Sequence, residues 1–131
     1  MPTPDDDRIR AAYVLFNERG ELDAGLFHPD VEWHNDPKWP GAGVHRGVEA
    51  VRRELARQRE AWGEVRLEPV AILRDGDRLV VLVDMTVTGK SSGAPAAVDG
   101  AHIITLRDGK AVKVQAFTDR ARAFREAGIE R

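Results

Sequence analysis

The sequence has no cysteine among its 131 residues, which excludes disulfide bonds and cysteine-based zinc sites. It also lacks a charge excess of either sign, because 20 basic and 22 acidic side chains leave a formal net charge of −2. No basic stripe with interleaved aromatic residues is present, so we expect no nucleic-acid partner. A chain without cysteine suits the reducing cytoplasm, where we expect this protein to reside.

Long apolar runs are missing as well. A run such as residues 79–83 is far too short to cross a bilayer, so no membrane association is expected. The first seven residues are acidic and have no apolar core, unlike a signal peptide. A chain of this length suits one domain with its own hydrophobic core, and we expect residues 1–131 to form a single domain.

Two of the three tryptophans fall in residues 31–41, where Trp33 and Trp39 flank Asn35 and Asp36. The segment begins like a β-strand and is interrupted by two prolines. One interpretation is the wall and mouth of a small-molecule pocket. The other is an edge strand whose rings pack beneath a loop.

Hydrophobic periodicity predicts helices first and strands afterwards. Proline and glycine signals predict a first helix that ends at Gly20, a short second helix over residues 22–27, and a third over residues 48–62. Long strands follow, at about 65–74, 78–88, 96–107 and 110–118, and Asp119 can cap a final helix. The order predicts an α+β fold, in which three N-terminal helices cover a curved antiparallel sheet. Such a cone encloses a natural pocket.

Strand alternation predicts which side chains point into the cone. His102 shares a face with Ile104 and Leu106, which makes that face the better candidate for the interior. Asp84 interrupts an otherwise apolar strand, and a buried carboxylate without a partner is costly. Asp84 therefore has a partner, faces a wet cavity, or lies on a solvent-exposed face. His102 is either a core histidine bonded to backbone or a group that works in the pocket.

Four segments of the chain resemble the nuclear-transport-factor-2-like superfamily and, more narrowly, its SnoaL-like branch. They are residues 27–34, 47–52, 106–110 and 119–129. The resemblance implies a cystatin-like conical α+β barrel with an apolar cavity, often packed as a homodimer through its sheet. The family includes ketosteroid isomerases, limonene-epoxide hydrolases and polyketide cyclases. These segments mark the fold and carry no catalytic signature.

The epoxide-hydrolase pattern fits this sequence poorly. Asn35 matches an asparagine of that pattern, and Trp33 stands where it has a tyrosine. Its Arg and two Asp fall on Asp84, Thr86 and Ala116, so epoxide hydrolysis by that mechanism is not expected.

The ketosteroid-isomerase pattern fits better. Asp36 before Pro37 resembles its base, Tyr13 resembles its oxyanion-hole tyrosine, and His102 aligns with its oxyanion-hole acid. The two patterns conflict, because neighbours on a strand point to opposite faces unless the strand ends there. Which of Asn35 and Asp36 faces the cavity therefore stays open.

Three functions are consistent with these residues. The first is general acid/base chemistry on an apolar, carbonyl-bearing small molecule, with Asp36 as base and with Tyr13 and His102 as donors. The second is a non-catalytic site in which Tyr13, Trp33 and Trp39 hold a flat apolar ligand that His102 and Asp84 orient. The third is a dimerisation module whose cavity is filled by its own side chains. The four histidines show no metal-binding spacing, and we expect neither a metal nor another cofactor.

Overall fold

The computed structural model describes residues 4–38, 43–89, 93 and 95–128. It contains three helices and six strands, which in chain order are α1 (Pro4–Arg19), β1 (Phe27–His34), β2 (Val44–Arg46), α2 (Val48–Trp62), β3 (Glu64–Asp75), β4 (Arg78–Thr88), β5 (Pro95–Arg107), β6 (Lys110–Phe117) and α3 (Arg120–Ala127). The α+β cone-like fold expected from the sequence is thereby confirmed. None of the described helices is both long and apolar enough to cross a membrane.

The six strands form one sheet in the order β2-β1-β6-β5-β4-β3. The long strands β3 to β6 pair antiparallel, as expected from the hairpin turns between them. β1, however, runs parallel to β6, which makes the sheet mixed rather than purely antiparallel. This pairing brings the end of β1 close to the end of β6, where the functional candidates lie.

The short helix predicted over residues 22–27 does not form, so two N-terminal helices cover the sheet instead of three. The Asp23 side chain accepts a hydrogen bond from the Gly25 N–H, and the Leu26 N–H donates to the Asp23 carbonyl. This local turn competes with a helix for the same backbone groups. The apolar residues that suggested a helix are buried for another reason: Leu26 packs in the core and Phe27 begins β1.

Both faces of the sheet carry a hydrophobic core. The inner face packs against α1 and α2 through residues that include Ile9, Val51 and Ile104. The outer face packs against α3 through a smaller cluster that includes Leu82, Ile103 and Ala123. Alternation along β5 thus divides its residues between two cores, one on each side of the sheet.

The final helix is built as the sequence predicts. The Asp119 carboxylate accepts hydrogen bonds from the backbone N–H groups of Ala121 and Arg122, and Gly128 follows in the left-handed conformation. Both features satisfy backbone groups that a helix end otherwise leaves unpaired. They place Arg120 and Arg122 at the start of α3, where Arg120 pairs with Asp84 of β4 and Arg122 with Asp36 just beyond β1.

Candidate functional site

An apolar cavity of about 60 Å³ lies between α1 and the inner face of the sheet. Its walls include Ile9, Ala12, Tyr13, Phe16, Leu22, Leu26, Phe27, Trp33, Leu55, Leu67, His102, Ile104 and Val114. Glu21 and Asp23, from the loop before β1, also line it. A space of this size holds a few water molecules, well below the roughly 300 Å³ at which small-molecule pockets begin.

Tyr13 and His102 form a buried polar pair in the wall of this cavity. Tyr13 lies on the buried face of α1 with Ile9 and Phe16, and His102 lies on the inner face of β5. The Tyr13 hydroxyl is 2.5 Å from Nδ1 of His102, and the two rings stack with their centroids 5.7 Å apart. Alternation along β5 therefore predicted the face of His102 correctly, and the structure brings His102 and Tyr13 together.

Burial decides the charge of both groups. It raises the pKa of Tyr13 far above its usual value and lowers the pKa of His102 to about 4, because neither ring can hold a charge in an apolar wall. At neutral pH the pair is a neutral phenol hydrogen-bonded to a neutral imidazole. In the described part of the chain, Nε2 of His102 has no hydrogen-bond partner.

Trp33 closes another side of the cavity. Its ring meets His102 edge to face, with centroids 5.5 Å apart and planes 66° apart. Its indole N–H donates to Oδ1 of Asn35 at 2.9 Å. Trp33, in β1, and Asn35, just beyond its end, are both buried.

Asn35 is in turn held by Glu54, a residue that the sequence did not single out. Nδ2 of Asn35 donates to Glu54 at 2.9 Å, and Arg57 and Gln58 also donate to this carboxylate. Burial would raise the pKa of Glu54, but these hydrogen bonds lower it to about 2. A signal was available: Glu54 lies between Val51 and Leu55 on the apolar stripe of α2, where a carboxylate needs a partner.

Asp36 is buried, but its oxygens are already occupied. Oδ1 accepts the Lys38 N–H at 2.9 Å, and Oδ2 accepts the Thr118 N–H at 2.6 Å and the Thr118 hydroxyl at 2.8 Å. Arg122 of α3 completes the set as an ion-pair partner. Burial would raise the pKa of Asp36, but these four donors hold it below its usual value. A carboxylate bound in this way is a weak base and joins β1, β6 and α3.

β1 ends at His34, and this ending resolves the conflict between Asn35 and Asp36. Both residues are buried, because residues beyond the strand need not alternate between its faces. A second cavity of about 30 Å³ is lined by Asn35, Asp36 and His102 together. Asp36 thus does not point to solvent. The hydrogen bonds and the Arg122 ion pair that lower its pKa nevertheless make it a weak general base.

Asp84 lies apart from this group. It is on the outer face of the sheet, largely exposed, and pairs with Arg120 of α3 at 2.9 Å. It therefore has a partner, which was one of the three possibilities, and it lines neither of these two cavities. The structure therefore does not bring Asp84 together with Tyr13 and His102, beside which the sequence predicted a ligand contact. Trp39, also expected at the site, lies outside the described residues.

A family model described as a SnoaL-like domain matches residues 9–114. The chain belongs to the SnoaL-like family. The crystal structure of TerC co-crystallised with polyporic acid superposes on this SnoaL-like chain with a TM-score of 0.77 and 33% identity, covering 95% of this chain and 97% of TerC. No protein of curated function matches the sequence.

Two further solved structures share the fold. An NTF2-like protein of unknown function from Burkholderia pseudomallei has a TM-score of 0.76 and 25% identity, covering 94% of this chain and 96% of its own. A hypothetical protein from Catenulispora acidiphila with a ketosteroid isomerase-like fold, in complex with trimethylamine, has a TM-score of 0.74 at 17% identity, covering 99% and 96%. The likeness at 17% identity shows the fold alone. Together these findings show the SnoaL-like family and its NTF2-like fold.

Proposed function

We propose that this SnoaL-like domain binds an apolar, carbonyl-bearing small molecule in the cavity at Tyr13 and His102. The observation that carries the proposal is a buried imidazole that is fixed at Nδ1 and unbonded at Nε2, in a cavity whose walls are mostly apolar. Pockets that recognise small molecules combine apolar walls with a few such placed polar groups.

The Tyr13–His102 pair suits a hydrogen-bond donor better than a base. A neutral imidazole carries one N–H proton. Because the hydroxyl of a neutral Tyr13 donates a hydrogen bond to Nδ1, that nitrogen must be the acceptor, and the ring proton lies on Nε2. That N–H would then point to a ligand carbonyl oxygen. Complete transfer of the proton from Tyr13 would leave a buried phenolate, which its raised pKa disfavours.

Isomerase or cyclase chemistry is the second candidate, and it needs more than this donor. His102 would polarise the carbonyl and stabilise the developing oxyanion, while a separate base removes a proton from the adjacent carbon. The two buried carboxylates near the site, Asp36 and Glu54, are both occupied by donors. Non-catalytic binding is therefore the function that the geometry supports best.

Ligand size requires that the cavity widen. The 60 Å³ and 30 Å³ cavities share His102 and three apolar side chains, Phe16, Leu55 and Leu67, in their walls. Displacement of the three apolar side chains would join the two cavities beside His102. TerC supports a small-molecule ligand, since its crystals were grown with polyporic acid.

The test is thermal-shift and calorimetric titration with polyporic acid, followed by a panel of steroids, terpenoids and aromatic polyketides. A ligand that binds only the folded state raises the melting temperature by mass action. Ala12 lines the cavity and Ala11 is exposed one residue earlier on the same helix. Ala12→Leu should abolish the shift and Ala11→Leu should retain it. Binding that Ala12→Leu leaves unchanged would place the ligand elsewhere.

The small cavity also favours a third function, a dimerisation module that binds no ligand. α3 already covers Leu82 and Ile103 on the outer face, so association of two copies through the sheet would use the outer surface that α3 leaves open. Sedimentation of the ligand-free protein as a dimer, together with the absence of any thermal shift across the panel, would support this function over ligand binding.

A further inference from the structure

A chain of three hydrogen-bonded side chains runs from α2 to the cavity wall. Glu54 accepts from Asn35, Asn35 accepts from Trp33, and the Trp33 ring contacts His102. We propose that Glu54 is a positioning residue that fixes Trp33 through Asn35 and so sets the wall that faces His102. Its effect on ligand affinity rests on the proposed function, whereas its effect on Trp33 does not.

Hydrogen-bond chemistry allows only one orientation of the Asn35 amide. An ionised carboxylate only accepts, so Nδ2 must face Glu54, and an indole N–H only donates, so Oδ1 must face Trp33. The Asn35 amide thus links the two residues: its NH₂ group binds the Glu54 carboxylate, and its oxygen accepts from the Trp33 indole N–H. Nε2 of Gln58 also donates to Oδ1 of Asn35, at 3.3 Å, but it is itself bonded to Glu54 at 2.9 Å. Loss of Glu54 would therefore release Gln58 as well, and the Asn35 amide could rotate and present its NH₂ group to the indole N–H, which would break the contact.

Helix stability alone does not explain a carboxylate at this position. Val51 and Leu55 lie on the same stripe of α2, and an apolar residue would continue it. Buried ion pairs seldom stabilise a fold more than well-packed apolar residues do. Glu54 is nevertheless buried and receives two hydrogen bonds from Arg57, at 2.7 Å each. These contacts hold the carboxylate in place, and its Oε2 accepts from Asn35 and Gln58 as well as from Arg57.

The connection to the site passes through one ring. Trp33 lines the cavity, and its ring packs edge to face against the ring of His102. Because the indole N–H is anchored on Asn35, the ring has one preferred rotation about its side-chain bonds. Loss of the anchor would let the ring turn and change the space next to Nε2 of His102.

The experiment compares Glu54→Leu with Glu54→Gln. Glu54→Gln keeps an acceptor for Asn35, whereas Glu54→Leu supplies apolar volume without one. Glu49 and Arg52 form an exposed ion pair with the same three-residue spacing on the same helix, so Glu49→Leu is the matched control for a lost helix charge pair. The first readout is hydrogen exchange of the Trp33 indole N–H in the ligand-free protein, with Trp33→Phe used to assign the signal.

We expect exchange of the Trp33 indole N–H to become about tenfold faster or more in Glu54→Leu, and to change less than about threefold in Glu54→Gln and Glu49→Leu. Affinity for polyporic acid should fall most in Glu54→Leu and less in Glu54→Gln and Glu49→Leu. Unchanged protection in Glu54→Leu would overturn the proposal, as would equal acceleration in the Gln and Leu variants. If the wild-type protein binds no probe, the ligand-binding function fails, and the exchange measurement still decides the role of Glu54.

Discussion

Replacement of Asp36 by asparagine distinguishes a structural role of this carboxylate from a catalytic one. As a base, Asp36 could be replaced at little cost to the fold, with loss of turnover alone. The structure instead gives it four donors, from Lys38, Thr118 and Arg122. An asparagine supplies one acceptor oxygen in place of two, and its NH₂ group would face an N–H or O–H group that needs an acceptor. It also leaves the Arg122 charge without its partner.

The expected loss of stability follows from these contacts. Removal of one partner from a buried ion pair costs about 3–5 kcal/mol, and a hydrogen bond to a charged group contributes about 1.5–3 kcal/mol. Arg122 keeps 28% of its side-chain surface, so water can partly replace the lost charge. We therefore expect a loss of about 2–4 kcal/mol, which for a domain of this size lowers the melting temperature by about 7–15 °C.

The assay is thermal and urea unfolding of Asp36→Asn beside Asp84→Asn. Asp84 pairs with the other arginine at the start of α3, Arg120, but it keeps 57% of its side-chain surface. Such an exposed pair contributes about 0–1 kcal/mol. Equal stability of the two variants would refute the anchoring role of Asp36. A folded, unperturbed Asp36→Asn protein that had lost turnover of a substrate would restore Asp36 as the base.

Two further predictions concern the cavity and its rim. Burial lowers the pKa of His102 from 6.5 to about 4, so between these pH values the folded state binds fewer protons than the unfolded state. The free energy of unfolding that a neutral His102 contributes is therefore complete above pH 6.5. It declines as the pH falls toward 4, by roughly 3 kcal/mol in all. His102→Gln should flatten the melting-temperature profile over this window, and an equally steep profile would contradict the burial argument. Gly20 has φ +68° and a Cβ there would lie 1.6 Å from Arg59, whereas Gly76 has φ +63° and open space. Gly20→Ala should therefore cost more free energy of unfolding than Gly76→Ala, each paying about 1 kcal/mol for its left-handed backbone; equal losses would show that Arg59 moves aside freely.

Local patterns in the sequence predicted most of the fold and part of the site. Alternation placed His102 with Ile104 and Leu106 on the inner face, because each strand residue depends only on its neighbours for its direction. The same rule did not show where Asp84 lies, since α3 gives the outer face a core of its own around Leu82. Periodicity also suggested a helix at residues 22–27, where an aspartate turn forms instead.

The state of the buried carboxylates depended on contacts that are distant in sequence. Asp36 is bonded by Thr118, 82 residues away, and paired with Arg122, 86 residues away. These partners meet only because β1 lies parallel to β6 and α3 folds back across their ends. No spacing in the sequence reports such a meeting. The hydrogen bonding that makes Asp36 a poor base was therefore visible only in the three-dimensional structure.

We propose that His102 presents a neutral Nε2–H to a ligand in the cavity. Nitrogen NMR of the His102 ring, recorded from pH 7 to pH 4 with and without polyporic acid, can detect this proton. We expect a neutral ring protonated at Nε2 down to about pH 5, and a change in the Nε2 resonance when the probe binds. A ring that titrates near pH 6.5, or an Nε2 resonance unaffected by a bound probe, would contradict it.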